Sequence, residues 1–361
     1  MKNFKKIVLS AALAASMLVG FGATSLVKPA AAEKVGLNYY LSDYDTRAEA
    51  IAAGKEWVQK ANKEGVVLLK NKDNALPLAK GSKFTVFGKK QGDMFTYLER
   101  AGLKGNREAL SFYGSNSRSP SSYTPISGNT TANGKAIGET PVSYLQKDSA
   151  LEATYKDYAD MAFVVFYRSG GEGHDNPRTM KWNGKSVTDR DSAGEADQAV
   201  PGARSMDDHY LQLDQNETDL LAYVCEKFAK VTVILASSSQ MEVGFLDDPK
   251  HYAYHDNIVG GMWITGTGHE GAASVIVGET SPSGRTVDTW ARDYKLDPVW
   301  MNFGNNLVEG SYQKKGNLYA NYATDDGYMS SYRGTYVIYK EGIYLGYRYY
   351  ETRGYTEGLD K

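Results

Sequence analysis

The sequence predicts an α/β fold, a single domain in which a mostly parallel sheet is sandwiched between helices. Three observations lead there. Five short apolar runs, "GVVLLK", "KFTVFG", "MAFVVFYR", "VTVILASSS" and "NIVGGMWIT", lack the strict alternation of a half-exposed strand, as strands buried on both faces do. Segments with helical apolar spacing stand between them, and helices in that position supply the crossovers that parallel pairing needs. The chain of 361 residues is also long enough to bury a full core.

Each element has its own local reason. Thr46 and Glu49 have the spacing of a capping box and open a helix that runs to about Lys63. "GVVLLK" follows as a strand, then "KFTVFG", then "DMFTYLERAG" as a short helix stopped by Gly102. From Arg107 to Lys147 the chain is rich in Ser, Gly, Thr, Pro and Asn and reads as a long loop excursion. A short helix from about Leu151 to Tyr158 and the strand "MAFVVFYR" restore order. A second polar loop spans Ser169 to Tyr210, after which Asp214 and Glu217 form another capping box for a helix that includes Cys225. The strand "VTVILASSS", a strand in "NIVGGMWIT" and a helix from about Glu270 to Val277, stopped by Gly278, complete the pattern. The Tyr- and Gly-rich tail after Tyr294 suggests no particular element.

The N-terminus carries Lys2, Lys5 and Lys6, an apolar and small-residue stretch from Ile7 to Val27, and Ala30-Ala31-Ala32. This is the layout of a secretory signal peptide, residues 1–32, with cleavage expected after Ala32. An uncleaved membrane anchor is the alternative, weakened by Ser16, Gly20, Gly22 and Ser25 within the stretch. Lys plus Arg number 41 against 43 Asp plus Glu, so charge provides no reason to expect nucleic acid or an acidic membrane surface as partner. The 27 tyrosines combine flat apolar faces with hydroxyls, which suits wet polar ligands such as sugars as well as ordinary packing.

Candidate chemistry clusters in "YRSGGEGHD", Tyr167 to Asp175, at the end of an apolar run. The carboxyl ends of parallel strands are where ligands collect, and Gly170, Gly171 and Gly173 free the backbone around Glu172. Arg168, His174 and Asp175 could tune its pKa. From chemistry alone Glu172 reads as an exposed turn glutamate, with a cleft carboxylate as the alternative. Glu242, His269 and Glu270 stand just after expected strands, either lining the same cleft or serving as caps and surface charges. His251 and His255 have the spacing of a helical metal pair, yet follow Pro249 in a polar loop without a third ligand nearby, and no metal is expected. Cys225 shares an apolar helix face with Leu221, Val224 and Phe228 and reads as a structural thiol.

Several stretches together resemble the α/β sandwich domain of glycoside hydrolase family 3, the family of many β-glucosidases and β-xylosidases. They are "EGVVLLKNKDNALPL", "YRSGGEGHD", "VTVILASSSQMEV", "GHEGAASVIVGETSPSGRTVDTW" and "YKEGIYLGYRYYETRGY", in the family's order. The resemblance implies an (α/β)6-sandwich over residues 33–361 and a part in retaining hydrolysis of O-glycosyl bonds. It further implies that Glu172 is the general acid/base, on a loop reaching over the sugar pocket of a partner barrel domain. Arg168 and Asp175 match residues that accompany the motif and order the loop by ion pairs.

The departures set further expectations. Retaining hydrolysis needs a second carboxylate roughly 5 Å from the first. The family carries it in a Ser-Asp-Trp motif on the barrel, beside a Lys-His-Phe sugar-binding stretch, and neither occurs here. Ser42-Asp43-Tyr44 precedes the Thr46 helix and reads as capping. A barrel of about 250 residues does not fit beside the sandwich, so the chain looks like the front part of a sandwich-first enzyme from a truncated or split reading frame. It is expected to need a barrel domain in cis or in trans, to bind carbohydrate, and to use no metal or organic cofactor. A non-catalytic module binding carbohydrate or protein is the alternative.

Overall fold

The computed structural model describes residues 43–121, 137–168, 180–182, 198–199, 201–299 and 341–357. The chain divides into two compact units, Met1–Ala53 and Gly54–Lys361. In the first, the Thr46 hydroxyl accepts from Glu49 N at 3.2 Å while the Glu49 carboxylate accepts from Thr46 N at 3.1 Å. This reciprocal cap opens helix α1, Arg47–Glu64.

The second unit holds the α/β fold. Its strands are β1 (Val67–Asn71), β2 (Lys83–Phe87), β3 (Lys104–Gly105), β4 (Met161–Arg168), β5 (Lys181–Trp182), β6 (Gln198–Ala199), β7 (Val231–Ser237) and β8 (Ile258–Ile264). Six form one sheet in the order β1-β8-β7-β4-β2-β3, while β5 and β6 form a small antiparallel ribbon. The sheet is parallel throughout except that β1 runs antiparallel to β8. An antiparallel strand at the edge of a parallel sheet is a common arrangement.

Helices α2 (Gly92–Arg100), α3 (Arg107–Gly114), α4 (Val142–Lys147), α5 (Ser149–Glu152), α6 (Gln215–Lys227), α7 (His269–Ile276) and α8 (Tyr347–Glu357) are the other α-helices among the described residues. Along β4, Phe163 and Val165 pack into one layer with Met94, Phe95 and Leu98 of α2 and Ala272, Ala273 and Ile276 of α7. Val164 and Phe166 pack into the other with Phe112 of α3, Leu145 of α4 and Leu220, Leu221 and Val224 of α6. Both faces of the strand are therefore apolar, which removes the alternation from the sequence. Among the described residues no helix is long and apolar enough to cross a membrane.

Three readings are corrected. The Arg107–Lys147 stretch is not all loop: it contains α3 and α4. Asn106 caps α3 by accepting from Glu108 N at 3.1 Å and Ala109 N at 3.4 Å, and the short apolar set Ala109, Phe112 and Tyr113 is buried. Its polar surroundings hid that face. The helix expected from Leu151 to Tyr158 is broken into α5 and a 3₁₀ turn, Tyr155–Asp157. The tail that suggested no element contains α8.

Gly88, where β2 ends, lies at φ +110°, and a Cβ there would sit 2.3 Å from the Val165 carbonyl oxygen of β4. Both the left-handed backbone and the close approach require glycine. Gly88→Ala is expected to lower unfolding stability by about 3 kcal/mol, read as a fall in the urea midpoint; an unchanged midpoint would show that the two strand exits separate without cost.

Candidate active site

In an open α/β sheet ligands settle outside the carboxyl ends of neighbouring strands whose connections leave toward opposite faces. β2 and β4 are such a pair. They run side by side from Phe84↔Met161 to Phe87↔Val164. The chain leaves β2 for α2 in one layer and leaves β4 for α6 in the other. The "YRSGGEGHD" stretch starts at this crevice, although Glu172, His174 and Asp175 lie outside the described residues.

Arg168, the last residue of β4, has a fully buried side chain. Its Nε donates to Tyr210 O at 2.6 Å, Nη1 to Tyr167 O at 2.8 Å and Nη2 to Gln212 O at 2.6 Å. Nη1 and Nη2 also donate to the two carboxylate oxygens of Glu217, each at 2.6 Å. These bonds account for every N–H of a guanidinium, so its charge is balanced within the protein. Glu217 accepts in addition from Asp214 N at 3.0 Å, and Asp214 from Glu217 N at 2.8 Å, the expected capping box of α6. Burial, then the neighbouring Glu217, pushes the Asp214 carboxyl well above the usual carboxylate range, against the pull of Arg168.

A second polar knot lies at the exit of β2. The Glu139 carboxylate accepts from Lys89 N and Thr140 N, both at 2.8 Å. Lys89 Nζ donates to Ser119 O, and the Ser119 and Thr140 hydroxyls meet at 2.8 Å. Burial pushes Glu139 up to about 7, the two backbone N–H groups only partly opposing it, and Glu217 adds to the rise.

Glu242 follows β7 and is buried. Its Oε2 lies 2.9 Å from His209 Nε2 and accepts from Tyr294 N at 3.2 Å, while Oε1 is 3.6 Å from His251 Nε2. Burial raises its pKa, but the hydrogen bonds from His209 and His251 prevail and hold it at about 2. The folded value is below the ordinary 4.5, so the associated stability is present above pH 4.5 and lost as pH falls toward 2. Unfolding stability should drop by about 3 kcal/mol more between pH 6 and pH 2 in the native chain than in Glu242→Gln. Equal losses in urea titrations would refute this.

The other candidates separate from this group. His269 is the first residue of α7, in the opposite layer, where burial lowers its pKa against a weak pull from Asp93. Glu270 is half-buried beside it. Among the described residues no hydrogen bond or ion pair joins His269 or Glu270 to Glu242. His251 faces Glu242 with one nitrogen and accepts from Ala253 N at 3.2 Å with the other, which occupies both of its ligating positions. Among the described residues no group of three or more His, Cys, Asp or Glu side chains is arranged to hold a metal ion. Burial pushes the Cys225 thiol up to about 12, so it is not a nucleophile at neutral pH.

Sequence reasoning did not single out Lys89, Glu139, His209 or Tyr294, and saw Glu217 only as a cap. Asp214-x-x-Glu217 was readable because a capping box is local. The remaining partners come together across large sequence separations, and the sequence holds no signal for them.

Comparison with known proteins bears on this arrangement. The chain is 29% identical to beta-glucosidase A of Butyrivibrio fibrisolvens over 307 residues, 80% of this chain and 31% of that protein. It is 26% identical to a beta-glucosidase of Ruminococcus albus over 323 residues, 82% of this chain and 26% of that protein. It thus spans about a third or less of the length of these relatives. The fold is similar to that of beta-glucosidase 3B from Thermotoga neapolitana in complex with glucose, with a TM-score of 0.56 at 22% identity, over 84% of this chain and 37% of that one. A beta-glucosidase from Paenibacillus barengoltzii is similar at a TM-score of 0.53 and 21% identity, over 82% of this chain and 27% of that one. The family model described as the glycosyl hydrolase family 3 C-terminal domain matches residues 66–347, and the chain belongs to that family.

Proposed function

We propose that this chain is the sandwich part of a secreted retaining β-glycosidase acting on β-glucosides or β-xylosides, with Glu172 as general acid/base. The carboxyl group of Glu172 donates its proton to the glycosidic oxygen as the bond to the anomeric carbon breaks. A carboxylate on a barrel domain, in cis or in trans, attacks that carbon and forms a glycosyl-enzyme. Water then displaces the sugar while the Glu172 carboxylate takes up the proton. The chemistry uses carboxylates and water and calls for no cofactor.

The reading is supported above all by one observation: the Glu172 stretch continues directly from β4 at the crevice where connections diverge, inside the residues matched by the family model. Arg168 and Asp175 belong to the same stretch, and the guanidinium of Arg168, at its start, is bound in place by Tyr210 O and Glu217.

The test is hydrolysis of aryl β-glucoside and β-xyloside by the purified chain, alone and mixed with a barrel domain from a sandwich-first relative. Activity that needs the barrel and is lost in Glu172→Gln is the expected result. Sugar binding in calorimetry without hydrolysis in either sample would make the chain a binding module. Export is tested separately by mass spectrometry of secreted material, which should begin at Glu33.

A further inference from the structure

Glu139 is a buried acid that the proposed reaction does not use. Its two oxygens accept from Lys89 N and Thr140 N, each at 2.8 Å. Lys89 is the second residue after β2, so one carboxyl group joins the exit of that strand to the 138–140 turn. Residues 119–121 enter the same junction. Lys89 Nζ donates to Ser119 O, the Ser119 and Thr140 hydroxyls meet at 2.8 Å, and Ser121 Oγ donates to Gly138 O at 3.0 Å.

The surroundings of Glu139 hold more acid than base. Helix α6 supplies Asp214 and Glu217, and α3 supplies Tyr113, whose phenol burial keeps protonated. The exit of β2 supplies Lys89, followed by the exposed Lys90. Arg168 of β4 gives its N–H groups to Glu217 and to the carbonyls of Tyr167, Tyr210 and Gln212, which leaves none for Glu139. The Lys89 ammonium is bonded to Ser119 rather than to the carboxylate. A buried carboxylate without its own counter-charge favours the neutral acid. Burial accordingly pushes Glu139 up to about 7, with the two N–H groups and Lys89 opposing the rise and Glu217 adding to it.

We propose that Glu139 is a pH-operated fastening between the exit of β2 and the 138–140 turn, closed while its carboxyl group is protonated and released as that group ionises. In the open state the carboxylate is hydrated and titrates at its ordinary 4.5. The closed value is the higher one, so the fastening has its full strength below pH 4.5 and loses it as pH rises to about 7. The exit of β2 forms one wall of the crevice beside β4, and release loosens that wall in neutral and alkaline solution. The proposal does not depend on the role of Glu172.

Amide hydrogen exchange on the full chain reads the protection factors of the Lys89 and Thr140 N–H groups, which donate to this carboxyl group, relative to that of Val233 in β7. The relative protection is expected to fall by about 50-fold between pH 5 and pH 8 in wild type. Glu139→Gln keeps the neutral shape at every pH, and its fall should stay under about threefold. Lys89→Met removes the opposing ammonium and should move the midpoint of the fall to higher pH by about half a unit. A flat wild-type profile, a Glu139→Gln profile parallel to wild type, or a midpoint lowered in Lys89→Met would each overturn the proposal. A second measurement needs no variant: an NMR titration of the Glu139 carboxyl carbon in the wild-type chain should have its midpoint at about 7. A midpoint below about 5 would overturn the fastening.

Discussion

Replacing Arg168 with methionine is expected to destabilise the fold by about 3–5 kcal/mol, because it leaves the Glu217 carboxylate buried without its counter-charge. The pair is fully enclosed, with side-chain exposures of 0% and 1%, so solvent cannot screen or rescue the orphaned charge. Three further acceptors, the carbonyls of Tyr167, Tyr210 and Gln212, lose their donor in the same substitution. Removing both charges, in Arg168→Met with Glu217→Leu, should recover much of the loss, since an apolar pair of similar volume often replaces a buried ion pair at little cost. Denaturant unfolding of the two single variants and the double variant checks both statements. A double variant no more stable than Arg168→Met would show that the backbone acceptors, rather than the ion pair, carry the effect.

Glu172→Gln is expected to lower kcat/KM for substrates with poor leaving groups by about 10²–10⁴ in the barrel-supplemented enzyme. Glutamine retains the size and polarity of the side chain but cannot deliver a proton to the departing oxygen. An activated leaving group such as dinitrophenolate departs unprotonated, so its kcat/KM should change little. The alkaline limb of the pH profile, which reports loss of the acid's proton, should vanish in the variant. Equal losses on activated and unactivated substrates, or a retained alkaline limb, would remove Glu172 from the acid role.

Much of the architecture was legible in the sequence. β2, β4, β7 and β8 were read as strands because each is covered on both faces, which writes an unbroken apolar run into the chain. The starts of α1 and α6 were read because Thr46 with Glu49 and Asp214 with Glu217 satisfy each other across three residues. Helix α3 escaped notice because its apolar face is short and its flanks are polar. The antiparallel course of β1 was equally hidden, since an apolar run has no direction. Of the candidate site, Arg168 was picked out by its place beside Glu172 in the glycine-rich stretch and Glu242 by its position after a strand. Their partners were not: Glu217 lies 49 residues beyond Arg168, and His209 lies 33 residues before Glu242.

The sequence by itself determined the alternation of strands and helices, the caps that start them, and the placement of a glycine-flanked carboxylate after β4. Those features depend on contacts within a few residues, or on burial that imprints directly on composition. Only the tertiary structure decided that β2 and β4 lie side by side with connections leaving to opposite faces. It alone decided that Arg168 is neutralised by Glu217, and that residues 208–212 are gripped by Arg168 and Glu242. These are long-range pairings of buried charges. Their geometry is set by how helices seat on the sheet, and it brings together groups that nothing in the local sequence marks as partners.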